Sequence, residues 1–355
     1  AKRLRAPVLL VVDVTKMTRT AAAIVKGCVE LDPDVQIAGV VLNQVATERQ
    51  EGIIRAAIEQ SGLPPVLGAI PRLRDDLLPG RHLGLVTVEE SPEHEMALIR
   101  ASEVVGSHVQ LDTVLERASA APAIELPEMP PMPEHGSARI AVFRDEAFSF
   151  YYPENLEVLE DLGAELVEVS PAGPWPEEID GLYIGGGFPE VHAPRLAQHR
   201  EVMEEIHQAA SLGMPVYAEC GGLMYLASEL VVDGKSYEMA GVLDVRVEQM
   251  RRPQGHGYVV ARVDQPNAFF TEGTSLSGHE FHYSRIMAGA GSYGSCLELQ
   301  RGVGLGGGRD GLVSGRVWAS YLHLHALGTP GWARSLVELA ETYRIERQGV
   351  SGAWG

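Results

Sequence analysis

The residues best suited to chemistry begin with Cys220, in the segment MPVYAECGGLMYL. An apolar run precedes it, and a glycine pair and a second apolar run follow. That order describes a strand-to-helix elbow, whose sharp turn pushes the thiol out of the carboxyl edge of a parallel sheet. Glycines after the turn let a substrate approach the backbone closely. A thiol at a helix N-terminus gains thiolate character from the backbone dipole. The next amide, that of Gly221, is placed to donate to an oxyanion. Taken alone, a buried structural cysteine before a glycine turn explains the same residues equally well.

A second glycine-rich turn, LYIGGGFPEVH, also follows an apolar strand. Gly186 and Gly187 can present amides with no Cβ in the way, and Gly187 is the candidate for the second oxyanion donor. A phosphate cradle is the weaker reading, because no GK[ST] follows. The third element is WASYLHLHALG. His323 and His325 stand two apart, so on a strand they share a face. From a neighbouring strand His323 can take the thiol proton and activate nucleophilic attack on an acyl carbon. A metal pair is the rival reading. It lacks a third ligand close by, although His279 and His282 in GHEFHYS keep it open.

Holding these groups requires parallel strands alternating with helices, and the chain reads that way. Strands are expected at Val8–Val12, Ile37–Leu42 and Val66–Ile70, with helices at Thr20–Leu31 and Glu48–Ser61 and one long helix over 92–117. Residues 118–138, rich in Pro and Ala, read as a linker. The pattern restarts with strands at Ile140–Phe143, Glu165–Val169, Gly181–Ile184 and Val216–Ala218. Helices are expected at Pro153–Leu162, 200–212 and 223–229. Several strands follow over 236–300, then one buried strand at Trp318–Leu324 and a closing helix over 331–347.

The 355 residues suffice for two domains. A net charge of −19 argues against a nucleic-acid or membrane-surface partner. No apolar run is long enough for a transmembrane helix. Cys28, Cys220 and Cys296 form no CxxC, which argues against structural disulfides and zinc and for a reducing cytoplasm. The opening AKRLRAPVLLVVDVTK reads as a strand and not as a signal peptide, since Asp13 interrupts its apolar run early. The chain starts without Met and runs directly into that strand, so further residues are expected upstream.

The segments DEAFSFYYPENLEVLEDLGAELVEVSP, DGLYIGGGFPEVHA, MPVYAECGGLMYL, GHEFHYS and ASYLHLH, in this order over 139–340, resemble the glutaminase domain of the cobyrinic acid a,c-diamide synthase family. APVLLVVDVTKMTRTAAAIVKG, IAGVVLNQV, PVLGAIPR and RHLGLV resemble the later part of its synthetase domain. The resemblance implies an α/β chain: a partial P-loop synthetase-like parallel-sheet domain over 1–117, then a class I glutamine amidotransferase-like α/β domain over 139–347.

It also implies ATP-dependent amidation of the a and c carboxylates of cobyrinic acid, with glutamine as ammonia donor and ATP and Mg²⁺ as cofactors. Sirohaem or nickel-sirohydrochlorin as the macrocycle, and a glutaminase-only or regulatory relative, stay open. Carried over, Cys220 is the nucleophile and His323 its partner. Ordinary class I glutaminases place a carboxylate two residues after that histidine, where this chain has His325. The family resembles a Cys–His dyad version, and no third member is assigned. Glu219, His325 and Glu280 are expected around the site without direct roles. Strand alternation points Glu219 away from the nucleophile's face. Asn43 matches an adenine-contacting residue, and Asp13 is a candidate Mg²⁺ ligand beside its alternative as a turn aspartate. Arg19, Lys26 and Arg72 could meet substrate carboxylates, though surface roles suit each better. No G-x-x-x-x-G-K-[ST] occurs in the chain. A homodimer is the assembly entertained.

Overall fold

The computed structural model describes residues 1–73, 80–81, 84–85, 94–124, 138–288, 294–329 and 331–352. The chain divides into two compact units, Ala1–Met129 and Pro130–Gly355. The division falls inside the stretch read as a linker, of which 125–137 lie outside the described residues, as do His82, Leu83 and Val86 of RHLGLV.

In the first unit the order is β1 (Val8–Asp13), α1 (Thr20–Leu31), β2 (Ile37–Val45), α2 (Glu48–Gln60), β3 (Val66–Pro71), β4 (Gly80–Arg81), β5 (Gly84–Leu85), α3 (His94–His108) and α4 (Leu111–Ser119). β1, β2 and β3 form a parallel sheet in that order. Val25, Val40, Leu42, Ile54 and Ile58 are buried between sheet and helices. The start of α2 follows from Thr47, whose side chain accepts the Gln50 amide, while Gln50 reaches back to the Ala46 amide. The single helix expected over 92–117 is two. Val109 leaves the helical path to bridge Gly68, and the Gln110 amide bonds the Leu67 carbonyl, so pairing with β3 breaks the helix.

The second unit begins with β6 (Arg139–Phe143), α5 (Pro153–Asp161), β7 (Glu165–Val169), β8 (Gly181–Ile184), α6 (Pro189–Leu196), α7 (Arg200–Ser211), β9 (Val216–Glu219) and α8 (Gly221–Leu226). It continues with β10 (Ala227–Val232), β11 (Lys235–Glu238), β12 (Leu243–Gln249), β13 (Gly255–Val263), β14 (Ser275–His282), β15 (Ser284–Ala288) and β16 (Gly294–Arg301). β17 (Arg309–Ser314), β18 (Val317–Ser320), β19 (His323–Leu324) and α9 (Gly331–Gly352) complete it. The main sheet runs β19-β14-β13-β16-β17-β18-β9-β8-β6-β7, parallel from β18 to β7 and antiparallel before it. A smaller sheet has the order β11-β10-β12-β15.

Tyr217 of β9 lies stacked between Trp318 and Trp332, ring centroids 4.7 Å and 4.5 Å away, which locks the central strands against α9. Burial of aromatics of this size stabilises by roughly 1.5–3 kcal/mol each.

Two expectations change here, and α6 is an added element. The helix after Cys220 stops at Leu226, and Ala227 already begins a strand paired with β12. α6 carries Pro194 inside it, which hid its helical period. The strand expected over Trp318–Leu324 is split: β18 pairs with β9, whereas β19 pairs with β14. Among the described residues no helix is long and apolar enough to cross a membrane.

Candidate active site

β9 is flanked by β8 and β18 and ends at Glu219, so Cys220 emerges at the carboxyl edge of the parallel strands. Its backbone is left-handed, φ 48° and ψ −95°, a strained conformation for a residue with a Cβ. The Cys220 amide donates to the Ser320 carbonyl at 2.7 Å, and α8 begins at the next residue. The side chain is buried and hydrogen-bonds His323.

His323 is buried at the start of β19. Its Nδ1 lies 3.3 Å from Oε2 of Glu219. Burial works against a charge on this imidazole, but the hydrogen bonds to Cys220 and Glu219 outweigh it and hold the pKa up at about 10. The other Glu219 oxygen accepts the Tyr217 hydroxyl at 3.0 Å and the Leu324 amide at 3.1 Å.

Glu219 is thus in contact with the base, against the expectation from alternation. Alternation does hold along β9, since Glu219 bonds Tyr217 two residues earlier. It stops at the left-handed turn. Beyond that turn the Cys220 thiol reaches the same imidazole as the carboxylate.

The glycine turn after β8 packs on this pair. A Cβ at Gly186 would lie 2.6 Å from Cε1 of His323, and one at Gly187 would lie 2.0 Å from the Ala147 carbonyl oxygen. A Cβ on Gly221 would stand 3.0 Å from the Gly187 nitrogen, so the two amides proposed as oxyanion donors come from adjacent backbones. The Gly185 amide donates to the Tyr151 hydroxyl at 2.9 Å, which fixes the loop, and that hydroxyl donates in turn to the Phe143 carbonyl.

His325 and Glu280 make their contacts with other groups. His325 falls just past β19, with its ring 4.6 Å from that of Tyr152 and Nε2 3.5 Å from Glu154. It does not share the contacts of His323. Glu280 accepts the Val303 and Gly304 amides, both at 2.7 Å, and so anchors the glycine-rich loop after β16. From the same motif it is His279 that meets the base, its ring stacked on His323 at 4.9 Å. Burial and the charge on His323 lower the His279 pKa. In the sequence His279 stands open as a metal ligand, while the resemblance places its motif GHEFHYS near the glutaminase site. Its pairing opposite His323 in β14 and β19 depends on the strand break that spacing did not reveal. Among the described residues no group of three or more His, Cys, Asp or Glu could hold a metal ion.

In the first unit Asp13 and Asn43 are register partners at the carboxyl ends of β1 and β2. Asp13 accepts the Thr15 amide at 2.8 Å, and the Thr15 side-chain and backbone hydrogen bonds lower its pKa. Asn43 accepts the Gln44 amide at 3.0 Å.

Residues 139–330 match the CobB/CobQ-like glutamine amidotransferase domain, and residues 1–76 match an AAA domain. A cobyrinate a,c-diamide synthase of Magnetococcus marinus is 40% identical over 341 residues, 94% of this chain and 73% of that protein. The synthase of the same name from Archaeoglobus fulgidus is 40% identical over 96% of this chain and 74% of its own. Among solved structures, one titled as a glutamine amidotransferase aligns with 57% of this chain and 98% of its own, at 22% identity and a TM-score of 0.43. By the matched domain and by the identity and coverage of these relatives, the chain belongs to the cobyrinate a,c-diamide synthase family.

Proposed function

We propose that this chain is a glutamine-dependent carbon–nitrogen ligase that hydrolyses glutamine at Cys220 and supports amidation of the a and c carboxylates of cobyrinic acid. One observation carries the reading. The Cys220 thiol and the Glu219 carboxylate reach one buried imidazole, that of His323, across a strained turn at the sheet edge.

In the mechanism we infer, the Cys220 thiolate attacks the glutamine amide carbon, and the carbonyl electron pair moves to oxygen. The Gly187 and Gly221 amides receive that oxyanion. Protonated His323 donates to the amide nitrogen, the C–N bond breaks, and ammonia leaves a thioester on Cys220. His323 then takes a proton from water as it attacks the thioester, and glutamate departs as the thiol is restored. Glu219 holds the Nδ1 side of the ring, leaving the other nitrogen to the sulfur.

Amidating a carboxylate needs an activated acyl group, which ATP and Mg²⁺ supply when bound. The residues present do not by themselves fit that group. Asp13 and Asn43 each accept one local amide at the ends of their strands, but no G-x-x-x-x-G-K-[ST] phosphate cradle occurs among the 355 residues.

The test is twofold. A glutamine-analogue diazoketone should label Cys220 in preference to Cys28 and Cys296. Burial pushes the Cys296 thiol up to about 12 and keeps it protonated. In the complete enzyme, Cys220→Ala should abolish glutamine-dependent amidation of cobyrinic acid and spare the ammonia-dependent reaction. Labelling spread evenly over the cysteines, or equal loss of both reactions, would overturn the assignment.

A further inference from the structure

The break between β18 and β19 brings His323 to Cys220, and its cause lies on β17. β17 and β18 pair from Ser314↔Val317 to Leu312↔Ala319, and the pairing ends there. The next β17 residue, Gly311, has φ +71°, and a Cβ on it would stand 2.9 Å from both the Cys296 sulfur and Leu297 Cγ. Only glycine fits that kink. Beyond it a side chain replaces the backbone ladder. Oδ1 of Asp310 accepts the Gly311 amide at 2.8 Å and the Tyr321 amide at 3.2 Å. The Ser320 hydroxyl lies close to the same carboxylate, and its oxygen accepts the Leu322 amide at 3.0 Å. Asp310 is buried, 1% exposed, and Oδ2 has no hydrogen-bond partner among the described residues.

The segment held this way touches both reacting groups. The Ser320 carbonyl accepts the Cys220 amide and so braces the left-handed turn, and His323 follows three residues later. Tyr321 is fixed in addition by the Ser284 hydroxyl at 3.0 Å and by the His282 ring, stacked at 3.7 Å. Leaving a carboxylate buried with one oxygen unpartnered is costly for a role in stability alone.

We propose that Asp310 is a positioning residue for the glutaminase reaction: by standing in for the β17–β18 ladder opposite Tyr321, it turns the chain between Ser320 and His323 and sets the spacing of the Cys220–His323 pair. The inference deepens the glutaminase reading above and rests on it. The acceptor oxygen performs this role, so an isosteric amide can replace the carboxylate.

The experiment compares Asp310→Ala, Asp310→Asn and Ser320→Ala in the full chain, by glutaminase kinetics, by the rate of Cys220 labelling with the diazoketone, and by thermal unfolding. Misplacing reacting groups by an ångström costs on the order of 100-fold in rate. Asp310→Ala should therefore lower kcat and the labelling rate by roughly 10- to 100-fold with KM within about twofold. Asp310→Asn should recover labelling to within about threefold of wild type, and Ser320→Ala should slow it by about threefold or more. If Asp310→Ala does not fold, the other two variants decide. A folded Asp310→Ala with wild-type labelling, an Asp310→Asn no better than Asp310→Ala, or a Ser320→Ala labelled at the wild-type rate would overturn the proposal. Failure of the glutaminase reading looks different: the wild-type chain itself would neither release ammonia from glutamine nor be labelled selectively at Cys220.

Discussion

The Glu219 carboxylate and the His323 imidazole meet at 3.3 Å, Oε2 to Nδ1, with both side chains buried. The contact joins the residue just before the nucleophile to a histidine more than a hundred positions later. It sets a carboxylate beside the imidazole, whereas the position two residues after His323 holds His325. Glu219 also ties β9 to β19 through the Leu324 amide, so one carboxylate both orients the ring and anchors the strand that carries it.

Replacing that carboxylate tests the relationship. Glu219→Gln keeps the shape and removes the charge facing Nδ1, so the ring loses its preferred tautomer and the support for its protonated form. Glutamine hydrolysis should fall by roughly 100-fold or more in kcat, with KM little changed. Steady-state kinetics on a variant with wild-type circular dichroism measures this. Unchanged kcat would show that Glu219 only anchors β19.

The protonation of His323 leaves a signature in stability. Its folded pKa, about 10, lies above the roughly 6.5 of an unfolded histidine. The stabilisation it contributes is complete below about pH 6.5 and is lost as pH rises through about 10. Urea unfolding of the wild type should weaken from neutral pH toward pH 10 more steeply than that of His323→Gln. Parallel pH dependences would refute the raised pKa of His323.

The glycine turn leaves no space for a methyl group. At Gly187 an added Cβ meets the Ala147 backbone, and at Gly186 it meets the His323 ring. Gly187→Ala should displace the loop, lower the melting temperature and cut glutamine hydrolysis by about 100-fold or more through loss of an oxyanion donor. Gly186→Ala should act through the base, slowing Cys220 labelling because the imidazole is pushed aside. A labelling rate equal to wild type in Gly186→Ala would contradict the packing described.

Cys220 itself is strained, with φ 48° and ψ −95°. Glycine relieves a left-handed backbone that alanine does not, at some cost in chain entropy. Cys220→Gly should therefore be more stable than Cys220→Ala by about 1 kcal/mol, although both lack the thiol. Denaturant midpoints of the two variants decide it, and a more stable alanine variant would argue against strain at the elbow.

The amino-acid sequence by itself determined the alternation of strands and helices around the site, because burial on both faces of a parallel sheet writes continuous apolar runs. It also singled out Cys220, His323 and the glycine turn, whose residue types suit an elbow, a base and close backbone approach. Tertiary structure decided which groups meet. Glu219 reaches His323 because alternation ends at a left-handed turn, a backbone property that no periodicity of side chains records. His279 stacks on His323, and His325 leaves it for Tyr152 and Glu154, because β18 and β19 are two strands where the stretch WASYLHL reads as one. That break depends on Gly311 and Asp310, a strand away and some ten residues earlier. Local sequence fixes which residues can do chemistry. The distances between them come from long-range pairing, whose energetics lie in contacts between segments far apart in the chain.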